Sequence, residues 1–523
     1  MFKNEPLTDF SIESNRTAFK DALDKLSDTI QSGKLSASPL INGSAVEGET
    51  TYESIDPASP HTVIGKVSFA NKATAERALQ SLKANAAKWA DTPFDSRSKI
   101  IRNVAAVLRA KRHQISALMV REAGKTWAEA DADTCEAIDF CEYYASQMLQ
   151  MGPPRKLGDV KGEENTYFYE PRGVCVVIAP WNFPCAIATG MVSAALVTGN
   201  VVAFKPSEQT SLVGKAVVDA FLEAGCPPYA LSYLPGWGEE IGAYMVESPL
   251  VDMICFTGSK DVGLEIIRKA SEVKPGQRNV KKVVAEMGGK NAAIVDEDAD
   301  LDEAIKGVLL SAFGFAGQKC SACSRVICVG DIYEPFLKRL ISATEDIIVG
   351  RPSDPSTFLG PVIDKESYDR LMDSIRTAEA ELELAFKGKT PAEEGYYIPA
   401  TIFRDVERDH WVWKKELFGP VVACRSAQSF SEAIDLALDS EYALTGGVYS
   451  RSPANIEKAI KEFKVGNLYI NRKQTGALVY RQPFGGARMS GIGSKAGGPD
   501  YLIQFVEPRT VTENTIRKGF VPS

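Results

Sequence analysis

The chain has 523 residues, with 60 basic and 68 acidic side chains, a net charge of −8 and 44% hydrophobic content. A single core stops growing at roughly 250–300 residues, so this length requires at least two domains. The acidic balance excludes bulk attraction to nucleic acid or anionic lipid, and the absence of any run of about 18 apolar residues excludes a helical membrane span.

The opening stretch, Met1 to Phe10, is polar and acidic. It has neither an apolar signal core nor the Arg-rich, acid-poor character of a transit peptide, so the cytosol is the expected location. Ten cysteines are spread thinly and sit mostly in apolar runs such as Val174-Cys175-Val176-Val177, the pattern of reduced, buried thiols. Histidine is scarce, with only His61, His113 and His410. A His-based triad or multi-histidine metal site has little material, and acid–base chemistry falls to carboxylates.

The first ~150 residues carry helical periodicity, clearest over Ile100–Leu108 and Ala137–Leu149, with short extended pieces near Pro39–Asn42 and Thr62–Ser68. From Gly173 apolar runs alternate with helix-length amphipathic segments. Strands are expected at Val174–Ala179, Val201–Phe204, Leu231–Leu234, Met253–Phe256 and Val283–Ala285. Helices are expected at Ser211–Ala224, Glu239–Val246 and Asp261–Ser271. The polar stretch Ser271–Lys281 reads as a surface loop. A second alternating region predicts strands at Asn291–Val295, Arg325–Val329, Val421–Ala423, Gly446–Tyr449 and Asn467–Ile470. Its helices are expected at Leu301–Phe313, Tyr333–Ile347, Ser431–Leu438 and Pro453–Phe463. Continuous apolar strands alternating with helices are the mark of buried parallel sheets. The fold class is therefore α/β in two halves, with a boundary near Gly288-Gly289.

Five segments carry possible chemistry. In Phe313–Arg325 a helical run ends at glycines and a polar loop presents Cys320. Three readings stand here: a buried thiol, a C-x-x-C metal clip with Cys323, or a catalytic thiolate. The clip lacks the second Cys or His pair that structural zinc needs. A thiolate needs a positive field and open approach, which Lys319 and the flexible Gly317 are placed to supply. Glu286 ends a strand and precedes Met287-Gly288-Gly289, where open α/β sheets face their ligand crevice; a loop-capping carboxylate is the other reading. Ala179-Pro180-Trp181-Asn182-Phe183-Pro184 is a stiff turn that presents one amide, either as an oxyanion donor or as a turn Asn bonding its own backbone. Lys205-Pro206-Ser207-Glu208 follows a strand with groups able to reach a ribose. Thr257-Gly258-Ser259, with Gly263, opens a helix whose N–H groups suit a pyrophosphate. No GxGxxG is present.

Together, in order and spacing from about residue 40 to about 510, these segments resemble the aldehyde dehydrogenase superfamily. Glu416-Leu417-Phe418-Gly419-Pro420 and Pro483-Phe484-Gly485-Gly486 extend the match. The resemblance implies a Rossmann-type NAD-binding domain, an α/β catalytic domain and a small β oligomerisation extension. On it, 1–162 and 172–287 form the NAD domain, to which 486–501 return. Residues 288–485 form the catalytic domain, and 163–171 with 502–523 the extension and tail. Cys320 is then the nucleophile, Glu286 the general base, and Asn182 with the Cys320 N–H the oxyanion hole. Ala179, Pro180, Trp181, Lys205, Ser207, Glu208, Thr257, Gly258, Ser259, Gly263, Met287, Gly288, Glu416 and Phe418 would line the cofactor. NAD is expected over NADP, because a 2′-phosphate would meet the charge of Glu208.

Lys319-Cys320-Ser321, the loop Asn471–Val479 and the tail Ser494–Pro499 narrow the resemblance to the 1-pyrroline-5-carboxylate dehydrogenase family, which oxidises glutamate γ-semialdehyde in proline catabolism. In that family Ser321 and the N–H groups of Gly476 and Ala477 anchor the α-carboxylate. Phe183 and Phe484 flank the aliphatic chain, Lys319 neighbours the nucleophile, and Glu136 lies near the amino group. No metal is implied. A dehydrogenase of another semialdehyde such as succinic semialdehyde, a non-catalytic protein on this fold, and a cysteine hydrolase remain as alternatives. The resemblance further implies a homodimer or larger homo-oligomer. The start Asn4–Phe10 is similar to the segment that opens this module where it is fused behind proline dehydrogenase. A separate proline dehydrogenase partner or an excised module both stay open.

Overall fold

A computed structural model describes residues 2–392 and 394–516. Its apolar side chains form two separate cores, as the length demanded. The first core surrounds an eight-stranded sheet, in the order Gly491–Ile492, Lys282–Glu286, Met253–Thr257, Val174–Ile178, Val201–Lys205, Leu231–Tyr233, Leu40–Ile41 and Ser44–Ala45. The five central strands run parallel, and the outer ones pair antiparallel. The second core surrounds a seven-stranded sheet, in the order Glu383–Lys387, Thr401–Arg404, Val421–Ala427, Cys323–Val329, Asn291–Val295, Thr445–Tyr449 and Asn467–Ile470. All are parallel except the outermost Glu383–Lys387.

The expected strands and helices of both halves are present to within a few residues at their ends. One expected helix, Glu239–Val246, starts with a π-helical turn, Gly238–Gly242, before Ala243–Glu247. The helix Ala186–Val197 was not legible: every residue but Ile187 is buried. A helix apolar all round has no stripe for periodicity to detect. The helices Glu13–Gln31, Lys72–Ala90 and Lys365–Glu381 were likewise not delimited.

A third, antiparallel sheet joins Val506–Asn514 to Glu163–Pro171 and Arg155–Lys156. The β extension expected from residue 502 onward starts later, because Leu502–Phe505 is a 3-10 turn. Leu502 and Phe505 are buried there, with the Phe505 ring 5.3 Å from that of Tyr501. Extended backbone begins only where the chain leaves the core. Residues 517–523 of the expected tail lie outside the described residues. Among the described residues no helix is long and apolar enough to cross a membrane.

One relationship positions the site. The first sheet's parallel strands all end on the same edge, at Ile178, Lys205, Tyr233, Thr257 and Glu286. From Glu286 the chain crosses directly to Asn291, which begins a strand of the second sheet. The carboxyl edge of one sheet therefore faces the amino edge of the other, where Cys320 precedes Cys323–Val329 and Glu416 precedes Val421–Ala427.

Candidate active site

Cys320 stands on a strained approach. Phe315, Ala316 and Gly317 take φ values of 54°, 53° and 68° in succession, a left-handed run that costs energy at the two residues with side chains. Gly317 is obligatory, since a β-carbon there would lie 2.3 Å from the Gly419 carbonyl oxygen. Gln318, fully buried, locks the turn: its Nε2 donates to the carbonyls of Phe315 and Pro361, and its Oε1 accepts from Ile363 N at 2.9 Å. Asn291 Nδ2 donates to the Cys320 carbonyl at 2.7 Å and to that of Ala322 at 2.9 Å. Gly289 must be small, because its β-carbon would meet the Cys320 carbonyl at 2.5 Å.

The thiol of Cys320 faces the backbone N–H groups of Cys320 and Ser321. Burial first, and then the carboxylates of Glu416 and Glu286, push its pKa far up. The expected help from Lys319 is corrected: its ammonium pairs with Glu129 at 2.7 Å, so its charge is spent beside the thiol rather than on it. Cys323 is a buried thiol facing the Arg325 carbonyl.

Asn182 is 5% exposed, and its Nδ2 donates to the Gln318 carbonyl at 3.0 Å, two residues from Cys320. An amide has two N–H donors, so one remains for an oxyanion. Lys125, which sequence reasoning missed, sits fully buried beneath this loop. It donates to the Asn182 carbonyl at 2.7 Å, pairs with Asp133 at 3.0 Å and lies 4.0 Å and 4.4 Å from the ring centres of Phe183 and Phe315. Glu129, Asp133 and Glu136 recur at helical spacing on Trp127–Met151. That recurrence of acids along a mostly buried helix was the available signal for Glu129 and Asp133, beside the Glu136 already expected near the amino group. Burial, then Asp133, raise Glu136 to about 8.

Glu286 is held at the end of its strand, with its carbonyl accepting from Gly258 N at 3.1 Å. Burial raises its carboxyl to about 8, against an opposing N–H from Gly486 and the charge of Lys495. Among the described residues its Oε2 is buried with no hydrogen-bond partner, as expected of an oxygen kept for a water or substrate.

The residues expected around a nucleotide also gather on this edge. Ala179 N bonds the Lys205 carbonyl at 3.1 Å, and after Pro180 the Trp181 ring meets that of Phe418 edge-on at 5.5 Å. Lys205 Nζ and Gly238 N both donate to Glu208 Oε1, at 2.9 Å and 2.7 Å. Burial works to raise Glu208, but Lys205 and backbone N–H groups outweigh it and keep the carboxylate low and ionised. Ser207 bonds Gln209 at 2.6 Å. Ser259 caps the helix Lys260–Ser271, just past Thr257 and Gly258. Gly263 is where that helix closes on Met287, whose Sδ would lie 2.6 Å from a β-carbon. Glu416 Oε1 accepts from Gly289 N at 2.8 Å, and a β-carbon on Gly288 would stand 2.0 Å from its other oxygen. Burial raises Glu416 to about 7.

A family described as the aldehyde dehydrogenase family matches residues 45–511. The chain belongs to the aldehyde dehydrogenase family. Membership makes it a nicotinamide-dependent oxidoreductase. Within the family the chain is 48% identical over 512 residues to a 1-pyrroline-5-carboxylate dehydrogenase of Geobacillus sp. (strain WCH70), covering 98% of this chain and 99% of that one. It is 44% identical to 1-pyrroline-5-carboxylate dehydrogenase 2 of Bacillus subtilis (strain 168), at the same coverage. The solved 1-pyrroline-5-carboxylate dehydrogenase from Thermus with bound NAD superposes with a TM-score of 0.96 at 43% identity, over 98% of this chain and 99% of that one. Proline utilization A from Bdellovibrio bacteriovorus gives 0.97 at 46% identity over all of this chain, which spans 54% of that longer protein. The resemblance read from the sequence motifs is thus the relationship the whole chain has.

The remaining expected residues stand as follows. Phe183 lies over Lys125. Ser321 is buried, with its carbonyl accepting from Thr445 Oγ1 at 3.1 Å. Gly476 has φ +70°, and Lys473 Nζ would lie 3.4 Å from a β-carbon on it; Ala477 follows, half-buried. Phe484 is bonded in both directions to Ala496. Lys473, also missed, carries a pKa lowered by burial and by Lys319.

Proposed function

We propose that the chain oxidises L-glutamate γ-semialdehyde, the open form of 1-pyrroline-5-carboxylate, to L-glutamate with NAD, the second step of proline catabolism. The observation that carries the reading is the convergence of the Cys320 thiol, the Asn182 amide and the unpartnered Glu286 oxygen where two sheet edges meet. The full-length likeness to dehydrogenases of that name supports the substrate.

Lys205, Glu208 and Ser259 at the strand ends of the first sheet, with Glu416 and Phe418 ahead of a strand of the second, are the groups that would line a dinucleotide. Glu208 and Lys205 would hold the adenosine ribose, Ser259 and the helix start at Lys260 the pyrophosphate, and Glu416 the nicotinamide ribose. When bound, NAD supplies the oxidation by taking up hydride. Cys320 gives its thiol proton to solvent, the resulting thiolate attacks the aldehyde carbon, and Asn182 Nδ2 with the Cys320 N–H stabilises the oxyanion that forms. At the later thioester, Glu286 takes a proton from water as its oxygen adds to the carbonyl carbon, and the C–S bond breaks to release Cys320 and the acid. Ser321 with the N–H groups of Gly476 and Ala477 receives the α-carboxylate, Glu136 the ammonium, and Phe183 and Phe484 the methylene chain. Lys319 and Glu129 frame this end of the pocket as an ion pair.

In this reading 172–287 with 1–162 and 486–501 act as the NAD domain and 288–485 as the catalytic domain. The sheet of Glu163–Pro171 and Val506–Asn514 serves a cytosolic homo-oligomer. The likeness to proline utilization A supports a functional link to a proline dehydrogenase. The test is NADH formation from pyrroline carboxylate by the wild type and Cys320→Ala. Turnover by the wild type and its loss in the variant are expected. Retained activity in the variant, or a clear preference for succinic semialdehyde, overturns the proposal.

A further inference from the structure

Behind Glu286 lies a cleft of about 530 Å³, bordered by Gly466, Pro483, Gly485, Gly493, Lys495 and Asp500. Lys495 forms part of its wall. The ammonium donates to Asn467 Oδ1 at 2.9 Å, to the Gly485 carbonyl at 3.0 Å and to the Gly466 carbonyl. Three acceptors from two segments, Gly466-Asn467 and Gly485, fix a side chain that would otherwise be flexible, and none of them carries a charge. The cation is thus held in place but not neutralised where it sits. On the far side of Gly485 is the candidate base. A β-carbon on Gly485 would stand 2.9 Å from Glu286 Oε1 and 3.3 Å from both Cα and Cγ of Lys495. One glycine without a side chain is all that separates the two.

The groups facing Glu286 are few. Gly486 N–H and the charge of Lys495 favour its anion, while burial opposes it. Cys320 and Tyr501 are the other titratable groups that sense the carboxylate, and both are neutral acids pushed upward. Facing Lys495 is Glu286 itself, and burial weakens the ammonium. An exposed pair of this kind is worth little, but a fixed charge beside a desolvated carboxylate is screened far less.

We propose that Lys495 is a positioning residue for the hydrolytic step: its anchored ammonium, set behind Gly485, favours the Glu286 carboxylate over the acid, so that more of it is ready to take a proton from water. The proposal rests on the reading of Glu286 as general base. Lys495 neither gains nor loses a proton in the step; it acts by its field alone.

The test is NADH formation by the wild type, Lys495→Gln and Asn467→Asp, followed across pH in the burst and in the steady state. Lys495→Gln removes the charge while keeping donors for the carbonyls. Asn467→Asp leaves Lys495 in place but sets an anion against it. In both variants the acidic limb of kcat should move up by about one pH unit, with kcat about 10-fold lower at neutral pH. A stoichiometric NADH burst should precede the slow phase, and KM for both substrates should hold. An acidic limb that stays put in a folded variant overturns the proposal, as does a burst that falls together with the steady rate. If Lys495→Gln fails to fold, Asn467→Asp alone decides. A wild type that makes no NADH refutes the function proposed above instead.

Discussion

Lys125 and Asn182 are joined by a hydrogen bond of 2.7 Å from a fully buried ammonium to a main-chain carbonyl. The same ammonium pairs with Asp133, whose other oxygen accepts from Ala186 N at 2.6 Å. The middle of the Pro180–Pro184 turn and the first residue of the helix that follows it therefore hang on one ion pair. Lys125→Met would strand the Asp133 carboxylate in the core and should cost about 3–5 kcal/mol. Denaturant unfolding of the variant measures this. Adding Asp133→Leu should recover much of the loss, because the orphaned charge goes with it.

Glu286 titrates from the wrong side of neutrality for a resting carboxylate. Burial lifts it to about 8, so its base form declines about tenfold for each pH unit below that. The pH profile of kcat should show an acidic limb near this value. Glu286→Gln should lose the limb and lower kcat by about 10²–10⁴-fold while keeping the first NADH burst. A variant with the wild-type profile would remove Glu286 from the hydrolytic step.

The thiol prediction concerns chemistry without substrate. Burial and two carboxylates hold Cys320 as the neutral thiol, and only the thiolate is nucleophilic. Alkylation of Cys320 by iodoacetamide, followed by mass spectrometry, should be slow at neutral pH and speed up as pH rises. Glu286→Gln removes one of the opposing charges, so it should react faster than the wild type at the same pH.

On the proposed reading, cofactor choice rests on Glu208, which Lys205 and Gly238 N keep ionised. Glu208→Gln should weaken NAD through a higher KM and narrow the gap to NADP, because the repulsion of a 2′-phosphate is gone. The ratio of kcat/KM for the two cofactors reads this directly, and an unchanged ratio would move selectivity elsewhere.

Strands were legible because each is a short apolar run between glycines and polar turns, so Asn291–Val295 and Asn467–Ile470 match residue for residue. The candidate site segments stood out because polar residues there interrupt apolar strands at their ends. What escaped has a common cause. Ala186–Val197 is buried on all sides and so lacks a stripe. Lys125, Gln318 and Lys495 act through long-range hydrogen bonds, and nothing local announces a partner far along the chain. Lys319 misled for the same reason: adjacency to Cys320 suggested a role that its bond to Glu129 takes away. The left-handed run at Phe315 and Ala316 defies the preferences of those residues, and only the surrounding contacts impose it.

The first sheet takes its edge strand, Gly491–Ile492, from beyond the whole second sheet. On the ribosome, Lys282–Glu286 must therefore wait, one side unpaired, until some two hundred further residues have emerged. The neighbouring sheet can assemble in that interval, but the pocket between them cannot close. The immediate surroundings of Glu286, to which Gly485, Gly486 and Gly491 belong, should therefore form only after the second sheet has been made.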